Sequence, residues 1–316
     1  MLKESGLLYT PDRVIVSAGA KSSLYIAMLS LLDAGDEVLI PSPYWLTYPE
    51  LVKVCGAKPV FIDTKQDGYR LTGKAFGQAI TSKTKMLILN SPCNPTGVVY
   101  TRAELEDIAR VAVKNDVCVL SDEIYENLVY DGKKHVSIAS VSEEMKKLTV
   151  VVSGMSKSYA MTGWRVGYAC AEKHIVAAMN SLQSHLTGNV CSIAQYASVA
   201  ALNDGEQFTA EARALFERRK NLAVDLAKTL PSTTFCEPEG AFYILIDVSA
   251  HFGKKYGNKP VIGSISFAEA LLDEGVAVIP CLPFGDDDTI RISYAVGEDA
   301  IKEGFARIGA FIEKLK

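Results

Sequence analysis

A lysine near the middle of the chain, Lys157, has the surroundings of a reactive amine. The apolar run Leu148–Val152 predicts a buried strand, and the segment SGMSKSYAMTGWRVG follows at 153–167 with Arg165 eight positions after the lysine. An amine that is partly buried near other cations loses its proton more easily, and the free amine forms a Schiff base with an aldehyde. A loop lysine taken alone is more often a solvated surface residue. The other candidate site residues, described next, decide between these two interpretations of Lys157.

Polar residues follow two other predicted strands. Val117–Leu120 predicts a buried strand that delivers Asp122 and Tyr125 at its carboxyl end. An acidic group at the end of an apolar strand is costly unless it is paired, although an aspartate here also suits a helix N-cap. Lys85–Leu89 predicts a strand that enters a proline-rich loop holding Asn94, which is either a fixed functional amide or a turn asparagine.

A strand–glycine–helix junction near the start of the chain is a candidate anion site. Val14–Ala18 predicts a strand, and Gly19 precedes a predicted helix. The unpaired N–H groups and the dipole of a helix N-terminus suit a phosphate, and a plain strand-to-helix turn fits the same residues. Trp45, in the aromatic segment PSPYWLTYP at 41–49, either caps the core or stacks on a planar cofactor.

The overall composition argues against several classes of partner. The chain has 316 residues, 48% of them hydrophobic, and its net charge of -4 comes without a long basic run, so nucleic-acid binding is not expected. No apolar run approaches the roughly 20 residues of a membrane span. Met1–Glu4 lacks the apolar core of a signal peptide, which makes the cytosol the expected compartment and leaves an organellar precursor open.

Cysteine and histidine spacing indicates no metal site. The seven cysteines are odd in number, widely spaced and without a CxxC pair, so neither a disulfide framework nor a zinc site is predicted. The four histidines form no metal-binding motif and lie apart in the sequence from the acidic motifs. We therefore assign no metal.

The pattern of elements predicts an α/β protein with two domains. Strands and helices alternate through the first part of the chain, which is typical of a mostly parallel, doubly wound sheet closed by helices at Lys173–Leu186 and Ile193–Asn203. A smaller α+β domain is expected over 205–316. It begins with a helix at Gln207–Leu230, whose basic run we interpret as a solvated face: Arg213, Arg218, Arg219 and Lys220. Further strands and helices are predicted at Ala241–Val248, Ser266–Glu274, Val276–Pro280, Thr289–Tyr294 and Glu298–Leu315.

Five segments together resemble the class I/II aminotransferases, pyridoxal-phosphate enzymes of fold type I. They are SPCNPTG, SDEIYE, SGMSKSYAMTGWRVGYA, EGAFYILIDV and DTIRISYA, in the family's order over nearly the whole chain. SPYWLTYPE and AMTGWRVGYA are most similar to the aspartate aminotransferase branch, which includes enzymes acting on aspartate and prephenate. The resemblance implies a large pyridoxal-phosphate-binding domain at 1–204, a small domain at 205–316, ping-pong transamination between an amino acid and a 2-oxo acid, and a homodimer with shared active sites.

The resemblance also implies a role for each candidate residue in binding the cofactor. Lys157 would be the Schiff-base lysine and the proton-transferring base, and Asp122 would pair with the pyridine nitrogen. Tyr125 and Asn94 would hydrogen-bond the phenolic oxygen of the cofactor. Trp45 would stack on the ring. The phosphate group would be bound by Gly19, Ala20, Lys21, Ser156 and Arg165, with help from Ser153.

Two cations are implied as substrate ligands. Arg291 would bind the substrate α-carboxylate through a bidentate fork, with Trp45 and Asn94 beside the substrate. Lys21 would bind the distal carboxylate of a dicarboxylic substrate such as aspartate or glutamate. Its alternative is a surface residue in the first helical turn, where a cation is slightly unfavourable against the dipole.

The sequence departs from the family pattern in two places. Relatives continue for several tens of residues before the point at which this chain begins, and that segment carries a substrate loop and a tyrosine that reaches the partner's phosphate. Gly154 stands where many relatives have a serine. A lyase or synthase on the same scaffold, or a short form that binds the cofactor without turnover, therefore remain as alternatives to the aminotransferase.

Overall fold

The computed structural model describes residues 6–316, so the signal-peptide question at Met1–Glu4 lies outside the described residues. A seven-stranded sheet forms the larger layer. Its strands are β1 (Val14–Ser17), β2 (Glu37–Ser42), β3 (Lys58–Asp63), β4 (Thr84–Asn90), β5 (Cys118–Asp122), β6 (Thr149–Gly154) and β7 (Gly167–Cys170). They lie in the order β1-β7-β6-β5-β4-β2-β3, and β7 runs antiparallel to both of its neighbours while the other strands are parallel.

Helices cover both faces of this sheet, which confirms the doubly wound α/β architecture. One face carries α1 (Ala20–Leu31), α2 (Thr47–Val54) and α6 (Lys173–Leu186), and the other carries α3 (Gly73–Ala79), α4 (Arg102–Lys114) and α5 (Glu143–Lys147). Along β2, Val38 and Ile40 pack on the α1 side and Leu39 packs on the α4 side. Both faces of the central strands β2, β4, β5 and β6 are therefore largely buried, which explains why these strands read as continuous apolar runs.

A second, antiparallel sheet follows two connecting helices, α7 (Ser192–Asp204) and α8 (Glu206–Ala227). Its strands are β8 (Thr234–Cys236), β9 (Tyr243–Asp247), β12 (Ile279–Pro280) and β13 (Thr289–Ser293), in the order β12-β13-β9-β8. The hairpin β10 (Lys255–Tyr256) and β11 (Lys259–Pro260) and the helices α9 (Ser264–Leu272) and α10 (Glu298–Lys314) complete this part. The division of the chain at 204 remains a prediction.

Several elements differ from the sequence expectation, and three of the differences have a clear physical reason. Helix α2 stands where only an aromatic segment was recognised, because prolines before it and in its first turn obscured a helix of eight residues. Strand β12 keeps two residues of the longer strand expected at Val276–Pro280, since it is an edge strand paired only through Ile279 and Pro280. Helix α8 ends at Ala227, ahead of Pro231.

The prediction that the basic run of α8 is solvated is wrong for Lys220. Its side chain is buried, and the Nζ atom lies 2.7 Å from both carboxylate oxygens of Asp131. A buried ammonium is tolerated only when it is paired in this way. The pair joins α8 to the loop that follows Tyr125.

No helix in residues 6–316 combines the length and the apolar character needed to cross a bilayer.

Candidate active site

A cavity of about 370 Å³ lies at the carboxyl ends of β4, β5 and β6, next to the second sheet. Its walls bring together side chains that are widely separated in the sequence. The predicted site residues in these walls are Ala20, Lys21, Trp45, Asn94, Asp122, Tyr125, Ser156, Lys157, Arg165 and Arg291.

One end of the cavity is formed by the junction of β1 and α1. Gly19 is the N-cap of α1 with φ of 88°, a backbone conformation that favours glycine. The guanidinium of Arg165 lies so close to Gly19 that a Cβ atom there would overlap it. Arg165 is held in part by a 2.9 Å hydrogen bond from its Nη1 to the Thr162 carbonyl. A helix N-terminus and a guanidinium therefore meet at one point, which suits a phosphate dianion.

The amine of Lys157 occupies the middle of the cavity. Its Nζ lies 5.3 Å from the ring centre of Phe242 and 5.8 Å from that of Tyr125. Burial lowers the pKa of Lys157, and the positive charge of Arg291 lowers it further, while Asp122 opposes both. These surroundings favour the free amine that a reaction with an aldehyde requires.

Asp122 ends β5 as a buried carboxyl group with two hydrogen-bond donors. The hydroxyl of Tyr48 donates to Oδ2 at 2.6 Å, and the backbone N–H of Ile124 donates to Oδ1 at 3.2 Å. Burial raises the pKa of Asp122 to about 6, against the lowering effect of both donors. A carboxylate with so little solvation is ready to pair with a buried cation.

Arg291 reaches the cavity from β13 and is packed between aromatic rings. Its guanidinium carbon lies 4.3 Å from the ring centre of Tyr243 and 5.0 Å from that of Phe284. Its Nη1 donates to the side-chain oxygen of Asn94 at 2.7 Å. The Asn94 backbone N–H donates in turn to the Asn90 side chain at 2.8 Å. The arginine fork is thus preorganised, as carboxylate recognition requires.

Lys21 and Trp45 form the outer wall. The Lys21 Nζ lies 5.1 Å from the ring centre of Trp45, within the range of a cation–π contact. Lys21 is exposed, whereas the indole of Trp45 is partly covered and packs edge-on against Tyr48 at 5.3 Å. The outer wall therefore offers a cation next to a flat aromatic surface.

The model of one protein family, described as aminotransferase class I and II, matches residues 1–308. The chain belongs to this family. The aspartate aminotransferase of Bacillus sp. (strain YM-2) is 46% identical over 314 residues, which are 98% of this chain and 79% of that protein. The aspartate/prephenate aminotransferase of Cereibacter sphaeroides (strain ATCC 17029 / ATH 2.4.9) is 42% identical over 313 residues, 98% of this chain and 78% of that protein.

Comparison of the fold with solved structures identifies the same family. The aspartate aminotransferase from Rhizobium meliloti superposes with a TM-score of 0.95 at 39% identity, covering 99% of this chain and 80% of that one. The aromatic aminotransferase from Pyrococcus horikoshii OT3 gives 0.92 at 34% identity, covering 99% and 83%. These findings confirm the predicted family and the fold type I architecture, and they support a transaminase function for this chain.

Two predicted residues of this aminotransferase do not line the cavity. Gly19 contributes its backbone beneath Arg165, as described above. Ser153 was expected near the phosphate, but β6 continues through Gly154, and the Ser153 hydroxyl donates at 2.7 Å to the carboxylate of Glu126. The structure therefore places Ser153 in the layer behind the site.

That layer contains a buried polar cluster which the sequence did not reveal. His135 lies 2.8 Å from Glu123, and their ligand atoms and that of Glu126 lie within 4.8 Å of one another, although the sequence separates the histidine from the acidic motif. Glu123 already accepts hydrogen bonds from the hydroxyls of Ser121 and Ser137. Its oxygens are thus occupied by protein donors, and we interpret the cluster as a structural support beneath β5.

Six residues that line the cavity were missed from the sequence, and two of these are tyrosines that contact predicted site residues. Tyr48 binds Asp122, and Tyr243 lies between Tyr125 and Arg291. Tyr48 belonged to the unrecognised helix α2. Tyr243 lies in the apolar run EGAFYILIDV, where a tyrosine is also an ordinary core residue.

Proposed function

We propose that this chain is a pyridoxal-phosphate-dependent aminotransferase that moves the amino group of aspartate or glutamate to a 2-oxo acid by a ping-pong mechanism. One observation carries the proposal: the Lys157 amine, the Asp122 carboxyl and the Arg291 guanidinium face a single cavity that ends at the Gly19–Arg165 junction. The names of the aspartate aminotransferase relatives support the same activity.

The residues around the cavity fit the cofactor from one end to the other. The junction of Gly19 and Arg165, with Ala20, Lys21 and Ser156, would bind the phosphate, since it combines backbone donors with a guanidinium. Trp45 would cover the ring. Tyr125 and Asn94 would donate hydrogen bonds to the phenolic oxygen.

Bound pyridoxal phosphate supplies an electron sink for the electrons released at the substrate α-carbon. Asp122 would hold a proton on the pyridine nitrogen, and its buried surroundings strengthen that ion pair. Lys157 Nζ, whose lowered pKa favours the free amine, would remove the proton from the α-carbon.

Two cations define the substrate class in this proposal. Arg291 would bind the α-carboxylate, because its fork is already oriented by Asn94 and Tyr243. Lys21 would bind the distal carboxylate from the outer wall. Two cations in the walls of one cavity favour dicarboxylic substrates over neutral amino acids.

The proposal includes a homodimer in the cytosol. Helix α7 exposes four large apolar side chains, which is typical of a covered interface: Ile193, Tyr196, Val199 and Leu202. All seven cysteines are free thiols, as expected in a reducing compartment.

The first test is an absorbance spectrum of the protein with pyridoxal phosphate, before and after aspartate. We expect a band that depends on Lys157 and that aspartate converts to the amine form of the cofactor. Lys157→Ala should abolish the band, and the exposed Lys147→Ala should keep it. Turnover of aspartate with 2-oxoglutarate completes the cycle.

Three outcomes separate the alternatives. A band that aspartate leaves unchanged would favour a form that binds the cofactor without turnover. A product other than the 2-oxo acid would favour a lyase or synthase. A spectrum in which Lys157→Ala matches the wild type would rule out the assigned nucleophile.

A further inference from the structure

Tyr243 lies at the centre of the site and contacts both of its functional ends. Its hydroxyl oxygen is 3.0 Å from the hydroxyl oxygen of Tyr125, and its ring lies 4.3 Å from the guanidinium carbon of Arg291. The side chain is buried and lines the cavity. Tyr243 therefore bridges the tyrosine on one side of the cavity and the arginine on the other.

The backbone before Tyr243 is fixed against the loop that carries Tyr125. Ala241 donates its N–H to the Leu128 carbonyl at 2.9 Å, and Tyr130 donates its N–H to the Glu239 carbonyl at 2.9 Å. The Tyr130 hydroxyl also donates to the Ala241 carbonyl. Ala241 itself adopts φ of 58°, which is uncommon for a residue with a Cβ and is held here by these contacts. The position of Tyr243 relative to Tyr125 is therefore well determined.

We propose that Tyr243 is a positioning residue that orients the Tyr125 hydroxyl toward the cofactor and supports Arg291 for the substrate carboxylate. The inference rests on the function proposed above, and it adds a role for Tyr243, a residue to which the family resemblance assigned none. One side chain then links the group that binds the cofactor oxygen to the group that binds the substrate.

The direction of the hydrogen bond follows from the number of hydrogens available. Tyr125 has one hydroxyl hydrogen, and in its proposed role it donates that hydrogen to the phenolic oxygen of the cofactor. Tyr243 must then donate to the Tyr125 oxygen. Such a chain of two hydrogen bonds polarises Tyr125 and strengthens its donation.

The test compares Tyr243→Phe with the wild type in a pH titration of the lysine-dependent cofactor band. Phenylalanine keeps the ring on Arg291 and removes only the hydroxyl. A weaker bond from Tyr125 leaves more negative charge on the cofactor oxygen, which makes the adduct with Lys157 more basic. We expect the midpoint to rise by about 0.3 to 0.6 pH unit.

A second substitution separates the ring from the hydroxyl. Tyr243→Leu should give a similar rise in the midpoint and should also weaken binding of succinate, used as a dicarboxylate probe, by about fivefold. Tyr243→Phe should leave succinate affinity within about twofold of the wild type, because the cation–π contact is retained.

Tyr294→Phe is the matched control. This tyrosine is buried near the same segment, and its hydroxyl is hydrogen-bonded to the Ala241 carbonyl at 3.5 Å and to Tyr130 rather than to the Tyr125 hydroxyl. Its titration midpoint should equal that of the wild type.

The outcomes distinguish this inference from the proposed function. A wild-type band with an unchanged midpoint in Tyr243→Phe would overturn the role of Tyr243 alone. An equal shift in Tyr294→Phe would also overturn it, since the effect would then come from general packing. Absence of a lysine-dependent band in the wild type would overturn the proposed function and this inference together.

Discussion

At the scale of single residues, the site contains a buried ionisable group whose charged form makes the cofactor-free protein less stable. Asp122 is the clearest case, because its carboxyl group is buried and accepts hydrogen bonds from the Tyr48 hydroxyl and the Ile124 N–H. A raised pKa means that the folded chain binds this proton more tightly than the unfolded chain does. The ionised Asp122 carboxylate therefore lowers the stability of the cofactor-free protein. Pairing with the protonated pyridine nitrogen of a bound cofactor would remove this cost.

Asp122→Asn should stabilise the cofactor-free protein at neutral and alkaline pH. The pKa of Asp122 rises from 3.8 to about 6 on folding, so stability falls as the pH rises from about 4 to about 6. Above pH 6 the cost reaches about 3 kcal/mol, because each tenfold change in proton affinity corresponds to about 1.4 kcal/mol. Thermal unfolding should show a higher Tm for Asp122→Asn at pH 8 and a difference near zero at pH 4.

The exposed Asp67→Asn serves as the control, and we expect its difference from the wild type to stay small over the same range. Asp122→Asn should also bind pyridoxal phosphate more weakly, so that stability and function change in opposite directions. Equal Tm differences at both pH values would contradict the assigned cost of the buried carboxylate.

At the scale of elements, the junction of β1 and α1 joins backbone geometry to charge. Gly19 leaves room for the guanidinium of Arg165, which comes from a loop about 145 residues later in the sequence. The sequence identified the glycine, the helix and the arginine, because each belongs to a short local motif. Their direct contact could be expected only from the family resemblance.

Gly19→Ala should disrupt the junction in two ways. The positive φ costs an alanine about 1–3 kcal/mol of stability, and the new Cβ displaces the Arg165 guanidinium. Gly35→Ala is a matched control, since its φ is 92° and no atom lies near the added Cβ. Both variants should lose stability in urea titrations, but only Gly19→Ala should lose the stabilisation that inorganic phosphate or pyridoxal phosphate provides. A similar loss of phosphate stabilisation in both variants would assign the effect to strain alone.

Site residues that belong to short local motifs could be predicted from the sequence. Residues whose contacts depend on which face of a helix or strand they occupy were missed. Tyr48 lies on α2, which prolines obscured, and it meets Asp122 from a position 74 residues away. The expected strand ended at Val152, whereas β6 continues two residues further, so the structure places Ser153 against Glu126, and its role at the phosphate remains a prediction. The pairing of Glu123 with His135 likewise appears only when the loop between them folds back.

At the scale of the whole molecule, α7 lies between the segment that holds Lys157, the proposed Schiff-base residue, and the outer surface. Its inner side packs Ala194 against the segment that holds Lys157, together with Met155 and Met161. Its outer side exposes Tyr196. A second subunit covering the outer side would therefore stabilise the segment on the inner side.

We expect Tyr196→Glu to convert the proposed dimer to a monomer. Two copies related by a twofold axis bring the same side chain into one interface twice, so each substitution buries two charges in an apolar region. Ile262→Glu is the control, since Ile262 is 74% exposed, close to the 79% of Tyr196, and lies outside α7. Sedimentation velocity at micromolar concentration should give twice the chain mass for the wild type and for Ile262→Glu, and the chain mass for Tyr196→Glu.

The monomer should also bind pyridoxal phosphate more weakly, because the Lys157 segment loses the support of a covered α7. A wild-type protein that sediments as a monomer, or a Tyr196→Glu dimer as stable as the wild type, would show that this helix is not the interface.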